Sequence, residues 1–577
     1  MLPAEKQVFM RKVMAIKPRI GEFEDGPSIA VKVLLNIWQN SHFPLLCNKK
    51  YLNDSKLSTD PDFVGLSSWL ADRPFLESAF WLSSAYAIWV GNDVRSKMSL
   101  YFTPPVLANR LIDNLISQGA SLIDDVWVDP ACGGGAFLAP VALRMIDTMS
   151  QEGLEPAQIV EKVTSNLRGN DLNETLAFLS SQFVLMALYK FITLSNIKPE
   201  ITISVGNGLK STLWDGRKAD VILCNPPYRK MKSVEVSDYF DEYAEIIEGQ
   251  PNIYGLFIRQ CLRIGRDQSL IGLLTPTSYL SGKYFSKLRR LALTEATMRQ
   301  LDLVDDREGV FIGVSQGAAI SLFQKCRTSR TRNDTTIYAL SITGKFSEVG
   351  KCRLTANTDA WPIPRRKGDQ DLVQRAARSP YRLPDFGYSA RVGTYVDYRD
   401  KRRTYLQKPR SKKIFAFPLI WSSDITIAGR FHHGRTTEQD GHHIFIDMER
   451  SDRPGIIRSP VIALQRVTSP DQPRRLICAA IDTEFISRFG GIVGENHVIF
   501  IEQTSNDIIF SAELFAKVLS SEPIDRLFRS ISGAVNVSVS ELNQLPLPNP
   551  AVLLKFLNDG HPVDNAVSES FMQNEPT

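Results

Sequence analysis

The chain of 577 residues is poor in cysteine, and its seven cysteines (47, 132, 224, 261, 326, 352 and 478) are scattered without a C-x-x-C pair. That spacing argues against a disulfide scaffold and against a cysteine-based zinc site. Apolar runs of membrane-spanning length are missing too. The run from Ser78 to Asn92 (SAFWLSSAYAIWVGN) falls short of the roughly 20 residues a bilayer span needs. The N-terminus, MLPAEKQVFMRKVM, carries charges throughout and lacks the apolar core of a signal peptide. Charge of either sign is not in excess, with 68 Lys and Arg against 63 Asp and Glu and a net +5. There is no P-loop G-K-[ST], no P-D…(D/E)-x-K nuclease pattern and no internal repeat. These absences point to a reduced, cytoplasmic protein with no membrane partner. Ordinary hydrophobic (43%) and charged (23%) content indicates globular domains with ample core.

Three textures follow one another along the chain. Residues 1–90 read as helical, with Val31, Leu34, Leu35 and Trp38 at helical spacing and Trp69, Phe75, Phe80, Trp81 and Trp89 adding aromatic bulk. The bland reading is a packing cap for the next domain. Residues 91–345 alternate β-rich runs with helical stretches. The runs are 126–129, 167–171, 201–205, 219–224, 269–275, 300–305 and 318–323; the helices include 105–117, 136–149, 172–191, 254–264 and 283–296. Such alternation predicts an α/β domain with a mostly parallel sheet, whose ligands sit at the carboxyl ends of the strands. Residues 346–558 loosen into a basic α+β region. Between Arg365 and Lys413 it holds fifteen Lys or Arg against five Asp, ending in RDKRRTYLQKPRSKK with Tyr395, Tyr398 and Tyr405 interleaved. Lys and Arg neutralise phosphate while aromatics stack or wedge, so this run suits nucleic acid better than a merely solvated face. Residues 559–577, with four acids and no Lys or Arg, are expected to be a frayed, flexible tail.

Chemistry is carried by three strand ends. In VWVDPACGGGAFLAP (126–140) a buried strand meets glycines at 133–135, which permit a tight turn and close approach of a ligand to the backbone before a helix begins. Dinucleotide enzymes share such a turn, so by itself it does not choose a cofactor. In LRGNDLNET (167–175) the acidic Asp171 after a strand can accept both hydroxyls of a ribose, or simply cap a helix. One long helix is expected between these two motifs. The third end, ADVILCNPPYRK (219–230), stops abruptly in Asn225-Pro226-Pro227-Tyr228. A chance N-P-P-Y in a chain this long arises on the order of once in several hundred proteins. Two prolines stiffen the backbone and leave carbonyl oxygens without their own N–H groups. The Asn225 side-chain oxygen and the Pro226 carbonyl then form a fixed pair of acceptors for an –NH2 group, with Tyr228 beside them as a stacking plate.

With these motifs in this order the sequence resembles the N6-adenine DNA methyltransferases in their gamma arrangement, over about residues 95–330. The resemblance implies a Rossmann-like methyltransferase domain with a mostly parallel seven-stranded sheet, an N-terminal helical region and a C-terminal α+β target-recognition domain. It implies S-adenosylmethionine as cofactor and duplex DNA as partner, with a flipped-out adenine as substrate. By the family's motifs, Thr103 (in SLYFTPPVLANRLIDNL) would hold the cofactor's methionine end. Asp129, Pro130, Ala131, Gly133 and Gly135 would line its turn, Asp171 its ribose, and Asn207 with Gly208 (in VGNGL, where many members have Asp) its adenine. Asn225, Pro226, Pro227 and Tyr228 would be catalytic. Phe311, in DREGVFIGVSQGAAISLF, would stack on the other face of the base.

The C-terminal half resembles, more diffusely, the recognition domains of type II modification methylases, which work beside a companion restriction endonuclease. Arg402, Arg403, Lys412, Arg466, Arg474 and Arg475 are the candidate DNA contacts there. The doublets His432-His433 and His442-His443 lack a neighbouring Cys and are assigned to a loop near DNA backbone, not to a metal. Alternatives at this point are methylation of RNA or of a protein glutamine amide, which also use N-P-P-Y, and a restriction–modification fusion protein.

Overall fold

The computed structural model describes residues 3–573 except 22–24, 54–55, 99–102, 211–213, 215, 217, 305–316, 327–333, 342–343, 355, 357–359, 412, 436–440, 451–452, 469–471, 506–507 and 533–535. The chain forms two compact units. The first is Met1–Thr277, Tyr284–Ser347 and Thr355–Asn357; the second is Ser278–Lys283, Glu348–Leu354 and Thr358–Thr577.

The first unit begins with helices α1 (Pro3–Ile20), α2 (Gly26–His42), α3 (Lys49–Asn53), α4 (Pro61–Ala71), α5 (Phe75–Trp89) and α6 (Asn92–Met98). Helix α5 is buried on every side from Ser78 to Ala87, which explains an apolar run that is neither amphipathic nor membrane-spanning. No single helix among the described residues is long and apolar enough to cross a membrane.

Helix α7 (Pro105–Ser117) then leads into a sheet built from β1 (Trp127–Asp129), β2 (Leu167–Asp171), β3 (Thr202–Val205), β4 (Ala219–Cys224), β5 (Gly265–Pro276), β6 (Ala296–Val304), β7 (Ala318–Lys325), β8 (Thr335–Leu340) and β9 (Phe346–Cys352). Their order is β3-β2-β1-β4-β5-β7-β6-β8-β9. The first five run parallel, and β7 is antiparallel to both β5 and β6. Seven strands were expected and nine are present, because β8 adds in parallel to β6 and β9 follows at that edge. Helices α8 (Leu138–Gln151), α9 (Pro156–Asn166), α10 (Glu174–Ala187), α11 (Tyr189–Ser195), α12 (Ser233–Tyr243), α13 (Ile253–Ile264) and α14 (Ser286–Glu295) fill the crossovers.

Two helical expectations need correction. The single helix expected between the glycine turn and Asp171 is two, α8 and α9, separated at Glu152–Glu155; Pro156, at the start of α9, suits only a first helical turn. The stretch expected as one helix over 172–191 breaks at Leu188 into α10 and α11, bent by 62°.

Helix α10 is sandwiched. Leu176, Leu179, Phe183 and Met186 join the core formed by α1, α2, α4 and α5, whereas Val184 belongs to the core beneath the sheet. The N-terminal helices therefore pack onto the crossover that follows β2.

The second unit is α+β. One four-stranded antiparallel sheet pairs Tyr388–Val392, Val498–Gln503, Val461–Gln465 and Cys478–Ile481; a second joins Thr404–Tyr405, Phe445–Asp447, Ala416–Ile420 and Val493–Gly494. The expected frayed tail is corrected here. Residues Val563–Met572 form a helix whose Ala566, Val567 and Phe571 are buried in this unit's core, so apolar spacing outweighs the acidic composition.

Candidate functional site

One cleft of about 1100 Å³ opens at the carboxyl ends of the parallel strands and takes in the ends of β1, β2, β3 and β4 together. Its lining includes Thr103, Asp129, Pro130, Ala131, Gly133, Asp171, Asn207, Gly208, Asn225 and Pro227. The glycine turn, the acidic strand end and the N-P-P-Y corner thus share one cavity.

The turn after β1 is anchored by backbone hydrogen bonds from Cys132 N–H to Asn170 O (2.9 Å) and from Gly135 N–H to Cys132 O (3.0 Å). Gly133 and Gly135 have φ of 51° and 75°, a region costly for a residue with a Cβ. Gly135 itself does not line the cleft. A Cβ there would sit 3.1 Å from the Ser180 backbone, so its role is close packing of the turn against α10.

Asp171 is held in place from two sides: Gly133 N–H donates to Oδ2 (2.9 Å) and Asn173 N–H to Oδ1 (2.8 Å). Each oxygen keeps a further lone pair for a hydroxyl donor. Burial pushes the Asp171 carboxyl up from its ordinary value, opposed by these backbone donors. Asp129, 1% exposed, is pushed up to about 8 by burial, with Ala131 N–H its opposing donor and Asp171 adding repulsion.

Asn207 donates from Nδ2 to Tyr239 Oη (2.9 Å) and accepts from Leu209 N–H at Oδ1 (3.1 Å), so its amide orientation is set and Oδ1 retains one acceptor site. At Gly208 a Cβ would lie 2.3 Å from Pro130 O, so no larger residue fits between the ends of β1 and β3.

At the end of β4, Asn225 Nδ2 donates to the buried Thr103 Oγ1 (2.8 Å), with Oδ1 on the other side. The Tyr228 hydroxyl lies 2.5 Å from that Oδ1 and 2.8 Å from Leu274 O, two acceptors for a single hydrogen. Tyr228 has its ring edge-on to Tyr254 (6.2 Å, 78°), and burial holds its phenol well above the ordinary value. Pro226 is buried, and Pro227 and Arg229 face the cleft, with Arg229 paired to Glu235 (2.9 Å). Phe311 lies outside the described residues.

Sequence reasoning missed several lining residues. Asn170, fully buried, donates to Gly206 O (2.9 Å) and Pro130 O (3.4 Å), tying the loops after β1 and β3 together. Asn173 caps α10, a role its place before Glu174-Thr175 could have signalled. Tyr239 and Phe257 arrive from α12 and α13 and carried no sequence signal.

Among the candidate DNA contacts two are corrected. Arg402 has a side chain only 10% exposed and is committed to Asp400 (2.5 Å) and Thr394 O (3.2 Å). Arg475 is 3% exposed inside its unit, where no phosphate could reach it. Arg403 and Arg474 are exposed, Arg466 is partly buried with one bond to Asn496 O (3.0 Å), and Lys412 is outside the described residues. Three of the four histidines have separate side-chain neighbours, and His432 is exposed. His433 is half-buried against Phe445 and Phe485, His442 stacks on Trp421 (4.2 Å) and His443 bonds Thr404 (2.8 Å).

The Asp129 carboxyl gives a pH test of the cleft. An acid raised from roughly 3.9 to about 8 on folding stabilises the native state fully below its unfolded value, and that contribution is lost as pH climbs through 8. Asp129→Asn is expected to lessen the fall in the cofactor-free thermal midpoint across this window, the rest of the slope coming from the other acids that burial raises, Asp171 and Asp424 among them. Melting curves recorded between about pH 5 and pH 9 check it; an unaltered slope contradicts the buried titration.

The strand order, the antiparallel β7 and a cleft over the carboxyl ends of the parallel strands define a class I S-adenosylmethionine-dependent methyltransferase domain, and S-adenosylmethionine is the cofactor this class uses. Residues 159–311 match the family model of the Eco57I restriction-modification methylases. The chain is 19% identical over 360 residues to the type II methyltransferase M.PstI of Providencia stuartii, covering 59% of this chain and 67% of that one. It is 22% identical over 212 residues to M.BstVI of Geobacillus stearothermophilus, covering 35% and 37%. The matched stretches thus span about two thirds and about a third of those relatives' own length. In fold the chain is similar to the type IIL restriction-modification enzyme MmeI, solved in complex with DNA, with a TM-score of 0.60 at 12% identity over 99% of this chain and 96% of that one. The chain therefore resembles the methylases of restriction–modification systems.

Proposed function

We propose that the protein is a site-specific DNA methyltransferase that methylates the N6 amine of a flipped-out adenine in duplex DNA, as the modification component of a restriction–modification system. The observation that carries this is the shared cavity, in which Asn225 at the N-P-P-Y corner lies in the same cleft as Asp171 and Asn207. The residues present fit S-adenosylmethionine. Asp171 keeps acceptor sites for ribose hydroxyls, and Asn207 Oδ1 keeps one for an adenine amine. The cofactor supplies an activated methyl group on a sulfonium, so no metal or covalent enzyme intermediate is needed.

The chain's own contribution is orientation. The adenine amine is a poor nucleophile because its lone pair is delocalised into the ring. Accepting its hydrogens at Asn225 Oδ1 and Pro226 O favours a more tetrahedral nitrogen with the lone pair freed. The Thr103 contact holds the Asn225 side chain in place at the strand end. The Tyr228 hydroxyl, which caps Oδ1 in the base-free site, has Leu274 O as its second acceptor and can yield Oδ1 to the incoming amine without losing its own bond. These are preorganised dipoles, already aimed before the reaction begins. Exposed Arg403 and Arg474, with Lys412 and Arg466, are the candidate phosphate or base contacts. Work on DNA inside a cell, beside a cognate endonuclease, accords with relatives named as type II methyltransferases.

Single-molecule sequencing of DNA from a methylation-free host expressing the protein tests the reading. N6-methyladenine is expected at one short recurring sequence. Unmodified DNA, with labelled methyl entering ribosomal RNA or a release factor instead, would overturn it.

A further inference from the structure

We infer that helix α5 of the N-terminal helical region braces the cofactor site from behind, and that Tyr86 is a positioning residue for Asp171. This rests on the proposed reading of the cleft as a cofactor site. Tyr86, 5% exposed, accepts a hydrogen bond at Oη from Asn173 Nδ2 (3.0 Å). The same hydroxyl lies 3.4 Å from Asn173 Oδ1, which accepts from Leu176 N–H (3.0 Å) and makes Asn173 the N-cap of α10. With its side chain held at both ends, the Asn173 backbone N–H is aimed at Asp171 Oδ1 (2.8 Å). The chain of contacts therefore runs from α5, through one asparagine that itself faces the cleft, to the acid at the end of β2.

Three further observations, one on α2 and two on α5, tie the N-terminal helices to the surroundings of this site. Ser28 meets Thr175 (2.7 Å) and Gln39 donates to Gln182 (2.9 Å), so polar contacts from the N-terminal helices fix α10 along its length as well as at its cap. On α5 itself Leu76, Ala79, Phe80 and Ser83 line a small cavity whose opposite side is Thr103, Gly134 and Gly135, the turn next to the cleft. Ser83 Oγ is buried there with no hydrogen-bond partner, although polar groups so placed usually find one. A region that reads as mere packing thus contacts the cap of α10 through Tyr86 and the glycine turn through the small cavity.

Tyr86→Phe keeps the ring and removes only the hydroxyl. The expected result is a KM for S-adenosylmethionine raised about fivefold, the size of one hydrogen bond, with kcat at saturating cofactor and KM for DNA unchanged. Loss of folding alone would lower kcat by shrinking the active fraction and leave KM as it was. Asn173→Ala should raise the same KM, and adding Tyr86→Phe to it should change nothing further, because both act through one contact. If wild type binds S-adenosylmethionine in a calorimetric titration and Tyr86→Phe binds equally well, the role of α5 is overturned and the cleft assignment stands. If wild type binds none, the cleft assignment itself fails.

Discussion

Asn225→Ala is expected to lower methyl transfer by about 10³-fold or more while leaving a folded protein that still binds S-adenosylmethionine. The magnitude follows from losing a preorganised acceptor aimed at the reacting nitrogen, an effect worth about 10²–10³ in comparable sites, together with the loosening of Tyr228. Folding should survive because the side chain is only partly buried and makes two hydrogen bonds, from Asn225 Nδ2 to Thr103 and from the Tyr228 hydroxyl. Removing them costs about 1–3 kcal/mol, well short of the stability of a large unit. Asn225→Asp keeps an oxygen where the amine must bind, and Thr103 can reverse its hydroxyl to donate. It should therefore retain at least about ten times the activity of the alanine variant. Transfer of labelled methyl to duplex DNA, with circular dichroism and cofactor titration as controls, measures all of this. An alanine variant with a tenth or more of wild-type turnover would remove the acceptor pair from the mechanism.

Gly208→Ala should abolish tight cofactor binding without touching any group that reacts. The added Cβ would meet Pro130 O at 2.3 Å, Asn170 Nδ2 at 3.1 Å and Phe257 Cε1 at 3.4 Å. The nearest of these is backbone, so the ends of β1 and β3 must move apart by something near an ångström. Asn170, which ties those ends together, would lose its bonds as they separate. Misplacement on that scale costs about 10²-fold in function, and overpacking a buried site costs about 1–3 kcal/mol of stability. A cofactor titration should show affinity reduced about 100-fold with a lowered melting temperature. Wild-type affinity in this variant would mean that the loops do not form the cofactor floor.

Much of the first unit could be read without coordinates. Strands β2 and β4 and helix α7, from Pro105 to Ser117, have the limits read for them from the sequence, because Pro after Pro starts a helix and the Val-Ile-Leu run of β4 is buried on both faces. The N-P-P-Y corner, the glycine turn and Asp171 could be named for the same reason: each is a local signal, a strand end followed by residues with special backbone freedom. What sequence reading missed was non-local or tertiary. Tyr239 and Phe257 enter the cleft from helices far along the chain, and Tyr86 reaches Asn173 across 87 positions. Arg402 and Arg475 read as surface cations because composition reports charge and not burial. Only packing revealed that one is bound to Asp400 and the other enclosed. The acidic C-terminal stretch misled in the opposite sense, since three buried side chains suffice to dock a helix.

Residue order alone thus picked out the strand ends that line the cleft and the class of domain that holds them, because backbone stiffness, turn geometry and periodic burial are short-range properties. Tertiary structure alone decided that these ends share one cavity, that buried Asp129 is raised to about 8, and that an N-terminal helix touches the loop after β2. Desolvation and long-range hydrogen bonding depend on what surrounds a group in space, and that is set only when distant segments of the chain come together.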